Sequence, residues 1–144
     1  MKIAFVVNDV MTEMASYTTT RLAMAAVNLG HESYMLGVGD FIYALDGSIQ
    51  AHVRSANGGT YDSLETYLGA VQDKDNARQQ VSLDDLDVLL LRNDPSDDAA
   101  DRPWAQTCGI LFGQLAAMRG VIVLNDPFSL ANAVNKTYFQ HFPE

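Results

Sequence analysis

The amino-acid sequence predicts an α/β fold: a mostly parallel sheet with helices on both faces and a β-hairpin insertion. Three observations predict it. Short, continuous apolar runs rich in Val, Ile and Leu recur along the chain, as in strands buried on both faces. Segments with apolar residues at helical spacing alternate with them. Gly30 and Gly120 follow two of those segments, where a left-handed residue commonly ends a helix.

Ile3 to Val7 is the first such run. Leu22, Ala25, Ala26 and Leu29 then fall at i, i+3, i+4, i+7, which predicts an amphipathic helix burying that face. Ser33 to Leu36 follows as a strand, so the first 36 residues read as a right-handed strand–helix–strand crossover. Phe41–Leu45 and Ile49–Val53 flank Asp46-Gly47-Ser48, a turn sequence that predicts a hairpin. Residues 54 to 80 are polar and weakly patterned, with a turn at Asn57-Gly58-Gly59 and a short helix over Ser63–Val71. Val88 to Leu91 is the clearest internal strand. A helix then starts with Asp101 as N-cap and Pro103 in the first turn. Its apolar stripe is Trp104, Thr107, Cys108, Leu111, Leu115 and Met118, with Trp104 as a core anchor. Ile110 and Phe112 lie off that stripe and are expected to face a partner subunit or a further domain. Val121 to Leu124 is the last strand, and Ser129 is expected to cap a helix running toward Phe139. This order is that of a Rossmann-like domain, whose ligands sit beyond the carboxyl ends of the strands. The loops Asn8-Asp9-Val10, Arg92 to Pro95 and Asn125-Asp126-Pro127 occupy that edge.

Composition narrows the function. The chain has 144 residues, one domain's worth, and 48% of them are apolar, enough for a core. The formal net charge of −9 argues against nucleic acid and against a membrane surface as partners. No stretch approaches the roughly 20 apolar residues of a membrane span. Cys108 is the single cysteine, which fits a reducing, cytoplasmic setting.

The chemistry in the chain is sparse. No G-x-x-x-x-G-K-[ST] loop occurs, and Val7 leads into Asn8-Asp9-Val10 rather than a glycine-rich phosphate turn. Cys108 sits on a helical apolar stripe, where a thiol acts as a small hydrophobe. His31, His52 and His141 show no metal-ligand spacing. Asp94, Asp97, Asp98 and Asp101 read as a solvated acidic loop with one helix cap in preference to a Mg²⁺ site, so no metal ligand is assigned. Arg92 ends an apolar strand. Its guanidinium is placed either to grip a substrate carboxylate or to pair with a neighbouring Asp.

Val88-Leu89-Leu90-Leu91-Arg92-Asn93-Asp94-Pro95 resembles the strand–Arg-x-Asp-Pro segment of bacterial glutathione synthetases. Gly120 to Leu130, followed by Asn135-Lys136, is similar to their Gly…Val-x-Asn-x-Pro-x-Ser-Leu…Lys segment. Gly30-His31-Glu32, Gly39-Asp40-Phe41-Ile42-Tyr43 and Ala51 to Arg54 resemble the family's helix exit, hairpin and following strand. The likeness spans the chain apart from residues 55 to 80, and the order and spacing of the segments carry it.

The resemblance implies a single pre-ATP-grasp domain over residues 1–144, with an ATP-grasp module expected after 144. It implies a ligase that joins γ-glutamylcysteine to glycine through an acyl phosphate, with ATP and Mg²⁺ used by the full-length parent and none bound by this piece, which alone is expected to be inactive. By the same resemblance Arg92, Asn125 and Asp9 bind substrate and Lys136 helps hold the nucleotide; no catalytic residue is assigned. Expected partners are a small peptide or amino-acid substrate, the parent's own ATP-grasp domain, and further copies in a homo-oligomer. Asn93 and Asp126 stand where the family carries basic residues, and Ser16-Tyr17-Thr18-Thr19 replaces its Lys-Lys-Asp-Ser. Two other readings share the scaffold: a related ligase with a different amino acid or peptide, and a non-catalytic binding or oligomerisation module. A nucleotide-sugar transferase half also has a helix ending Gly-His, but the Asn-x-Pro-x-Ser-Leu…Lys tail argues against it.

Overall fold

A computed structural model describes residues 1–56, 58–76 and 78–133. Its centre is a four-stranded parallel sheet in the order β2-β1-β6-β7, built from β1 (Lys2–Val7), β2 (Glu32–Gly37), β6 (Val88–Leu91) and β7 (Ile122–Leu124). In β1, Ala4 and Val6 point to one side and Phe5 and Val7 to the other, and all four are buried. A strand covered on both faces needs no polar alternation, which is why Ile3–Val7 reads as one continuous apolar run.

Helix α1 (Thr18–Asn28) joins β1 to β2, and α2 (Leu64–Gln72) packs beside it. Together they cover the Phe5/Val7/Met35 face, where Tyr67 and Val71 of α2 are fully buried. Ser63 caps α2 by accepting a hydrogen bond from Thr66 N at 3.1 Å, so this helix begins where its sequence predicts. The buried side of α1 differs from the predicted one. Thr19, Thr20, Ala23 and Ala26 face the sheet, whereas Leu22, Ala25 and Leu29 are exposed. Small side chains let the helix sit close to the strands, and the bulkier residues are displaced to its flank. Gly30, at φ +81°, closes α1 with the paired bonds Gly30 N→Val27 O and His31 N→Ala26 O.

The opposite face, lined by Ala4, Val6, Leu36, Leu89 and Leu91, is covered by α3 (Cys108–Met118) and by a second sheet. The predicted hairpin is present as β3 (Phe41–Tyr43) and β4 (Ile49–Val53), with Leu45 in the turn rather than the strand. A third antiparallel strand, β5 (Gln79–Ser82), extends it. This strand is polar and exposed at Gln79 and Gln80, so the sequence carries no alternation to announce it.

Helix α3 corrects a second predicted stripe. A 3-10 turn over Pro103–Thr107 precedes the helix, and Asp101 does not cap it. Gly109, Ile110, Gly113 and Ala116 face the core, while Leu111 and Met118 are exposed. Trp104 is 57% exposed and is no core anchor. Ile110 is buried, and Phe112 stacks on Phe41 with ring centroids 4.5 Å apart, so both expected partner contacts turn inward. Both corrections have one cause: where glycine and alanine line the contact, the apolar stripe no longer marks the buried face. Helix α4 (Pro127–Ala133) starts earlier than expected. Asp126, not Ser129, is the cap, accepting from Ser129 N at 3.0 Å. The extension toward Phe139 lies outside the described residues.

Candidate functional site

The loops after β1, β6 and β7 meet at the carboxyl edge of the parallel sheet. Asn8, the first residue past β1, ties two of them together. Its amide nitrogen donates to Asp94 O (2.7 Å) and Asp98 Oδ2 (2.8 Å), and its Oδ1 accepts from Asp94 N (2.8 Å). Arg102 closes the clasp. Its Nε and Nη2 donate to Asp98 Oδ1 at 2.9 and 2.6 Å, and Nη2 also donates to the Asn8 carbonyl. Asp98 is only 3% exposed, so the reading of this segment as a wholly solvated acidic loop fails at that residue. A buried carboxylate persists when paired and hydrogen-bonded, and Asp98 is both.

The clasped loop forms one wall of a cavity of about 450 Å³ between β6, β7 and the start of α3. Leu91, Asn93, Asp94, Ile110, Asn125 and Leu130 are among its lining. Asn125 has φ +53° and donates its amide nitrogen to Leu91 O at 2.6 Å, binding the end of β7 to that of β6. Hydrogen bonds from the Ser96 hydroxyl and backbone hold the Asp94 carboxyl below the usual carboxylate range. A larger cavity, about 560 Å³, lies at the other end of β2 beside His31, Ser33 and Gly59. The carboxyl-edge cavity is the better candidate, because ligands of open α/β sheets collect at that edge.

The predicted substrate residues do not share that cavity. Asn125 lines it; Arg92 and Asp9 do not. Arg92 extends the ladder through its backbone (N→Val6 O, 2.8 Å) and turns its side chain over the α1 side, where Nε donates to Thr19 Oγ1 at 3.3 Å. It forms no ion pair with a neighbouring Asp among the described residues. Asp9 accepts from Met11 N at 2.8 Å, capping the 3-10 turn Val10–Thr12. Lys136 lies outside the described residues. Burial pushes the Cys108 thiol up, which matches its reading as a small hydrophobe.

Arg102 and Glu13 were not singled out from the sequence; Asn8 entered only as part of the loop after β1, and Asp98 only as one of four loop acids. The spacing of Asp98 and Arg102, four apart, is a legible pairing signal. Nothing in the sequence says which of the neighbouring acids is the buried one. On the α1 side, burial raises the Glu13 carboxyl, opposed in part by the nearby positive charge of Arg92.

Comparison with known proteins places this edge in context. A family described as prokaryotic glutathione synthetase, N-terminal domain, matches residues 1–131. The chain belongs to that family. The glutathione synthetase of Yersinia pestis is 31% identical over 132 residues, covering 88% of this chain and 36% of that protein. Those of Escherichia coli (strain K12) and Shigella flexneri are each 27% identical over 124 residues, covering 85% of this chain and 35% of theirs. The chain therefore spans about a third of the length of the curated relatives it matches. The parallel α/β sheet and the family both agree with the sequence reading.

Proposed function

We propose that this chain is the N-terminal substrate-binding and scaffold domain of a glutathione synthetase-like, ATP-dependent ligase that joins γ-glutamylcysteine and glycine through an acyl phosphate. The observation that carries the reading is the family match across residues 1–131, nearly the whole described structure. The carboxyl edge supports it. Arg92 presents an exposed guanidinium suited to a carboxylate, and the Asn8–Asp98–Arg102 clasp fixes the loop that walls the adjoining cavity.

The described residues do not fit ATP or Mg²⁺. The turn after β1 has no glycine and is held by the Asp9 cap, and the acids of the β6–α3 loop are committed to internal bonds at Asp94 and Asp98. Nucleotide chemistry is accordingly assigned to the longer protein beyond this domain. The role here is to bind and orient the peptide substrate. The test is turnover by the full-length protein supplied with ATP, γ-glutamylcysteine and glycine. Release of ADP and phosphate that requires both substrates supports the reading, and Arg92→Ala should raise KM for the dipeptide. Turnover only with another amine or peptide would make it a related ligase.

A further inference from the structure

The parallel sheet ends on β7, and that edge is unprotected. β7 pairs with β6 on one side and has no neighbour on the other among the described residues. In a parallel pair, alternate residues direct their backbone bonds inward. Ile122 N donates to Asp87 O, so the N–H and C=O of Val123 point outward, away from β6. Folded proteins blunt such edges with charge, proline or a bulge, because an open edge recruits another strand. Val121 to Asn125 holds no charge and no proline.

The side chains along this edge are apolar too. Val123 turns to the α3 face and packs against the core there. Ile122 and Leu124 turn to the opposite face, in register with Val88 and Leu90 of β6. Helices α1 and α2 close that face over β1 and β2 but not over β7. Along one row Phe5 is buried, Leu90 half-buried and Leu124 exposed. Beyond the two ends of the strand, Met118 of α3 and Phe128 of α4 are exposed as well. These four residues are between 49% and 68% exposed, and their positions are symmetric about Val123. Ile122 and Leu124 lie one residue before and after it, Met118 and Phe128 five before and five after.

A two-fold axis through Val123 reverses the strand, so each residue before the axis meets one after it on the other copy. We infer that this edge docks a second copy of the chain, β7 pairing antiparallel with its counterpart about Val123 and the two four-stranded sheets becoming one. Val123 exchanges both backbone bonds with its counterpart. Ile122 packs on Leu124 of the second copy, and Leu124 on its Ile122, on the face the helices leave bare. Met118 comes beside Phe128 of the second copy, a thioether–aromatic contact. The flanking charges agree with this direction. Arg119 precedes β7 and Asp126 follows it, so antiparallel pairing brings opposite charges near each other, whereas parallel pairing would bring like charges together. Ile110 and Phe112, the partner contacts the sequence suggests, are turned inward, and this edge takes their place.

The test is the mass of the full-length protein by sedimentation equilibrium from about 1 to 100 µM, the range in which a modest interface assembles. The wild type should gain mass with concentration. Ile122→Lys combined with Leu124→Lys sets like charges opposite each other across the axis and should weaken association about a hundredfold or more, halving the mass. Ile122→Lys combined with Leu124→Glu makes as many substitutions but sets opposite charges across the axis, and should restore association to within about tenfold of the wild type. All of these side chains are exposed in the single copy, so the circular dichroism of both variants should match the wild type. Met118→Ala combined with Phe128→Ala, outside the strand, should weaken association about tenfold. A wild-type mass of one chain at every concentration overturns the inference, whether the rest of the longer protein covers the edge or nothing does. So does an assembly that the first variant leaves intact, one that the second fails to restore, or one that loss of Met118 and Phe128 leaves unchanged.

Discussion

Replacing Asp98 by Ala removes the hub of the clasp. The carboxylate is 3% exposed and accepts from Arg102 Nε, Arg102 Nη2 and Asn8 Nδ2 at 2.9, 2.6 and 2.8 Å. Breaking a buried ion pair by deleting one partner costs about 3–5 kcal/mol when the other is stranded. The Arg102 side chain is 33% exposed and can rehydrate, so about 2–3 kcal/mol is expected here. For a domain of this size that corresponds to a fall in Tm of roughly 6–9 °C. Urea unfolding monitored by circular dichroism measures it, with an unchanged m value expected because no more surface is exposed. Asn8→Ala should cost less, about 1–2 kcal/mol, because two of its side-chain bonds, to Asp94 O and N, are exposed and water can replace them. The double variant should show a coupling of about 1 kcal/mol, since Asn8 and Asp98 share a bond. A loss below about 0.5 kcal/mol for Asp98→Ala, the range of ordinary surface changes, would refute the claim that the clasp holds this edge together.

Three further outcomes follow from particular residues. The folded-state pKa of Glu13 is raised above its ordinary value of 4.5, so the protonated form is favoured on folding. Stability linked to Glu13 is full below that ordinary value and is lost as pH rises through the folded value. Glu13→Gln should therefore be more stable than the wild type at neutral pH, with the gap closing in acid, as read from urea midpoints across pH. A Cβ on Gly69 in α2 meets nothing within 4 Å, so Gly69→Ala should stabilise by about 0.5–1 kcal/mol in the same assay. Cys108 is partly buried with its thiol pushed up, so alkylation by iodoacetamide at neutral pH should be slower than for a free thiol and should accelerate in urea.

The parts of the fold legible in the sequence are those whose burial is large and two-sided. Ile3–Val7 and Val88–Leu91 are read correctly because a strand covered on both faces is apolar throughout. Gly30 and Gly120 mark true helix ends because each takes up positive φ at a closing turn. Helix orientation was not legible. In α1 and α3 the faces that meet the sheet are Thr19, Ala23 and Ala26, and Gly109, Gly113 and Ala116, which contribute little to an apolar stripe. At Gly113 the reason is geometric: an added Cβ would lie 2.8 Å from Leu91 Cδ1. The carboxyl edge was legible as a place, since strand–helix alternation alone defines it. Its internal wiring was not. The clasp joins Asn8 to residues 86 to 94 positions away, and no local pattern encodes that distance.

The central claim is that this domain serves a glutathione synthetase-like ligase. The most direct measurement is phosphate release by the full-length protein with ATP, followed as γ-glutamylcysteine and glycine are supplied singly and together. Release only when both are present, with the tripeptide formed in equal amount, is the predicted result. No release with both present, or release with equal efficiency when glycine is replaced by an unrelated amine, would contradict it.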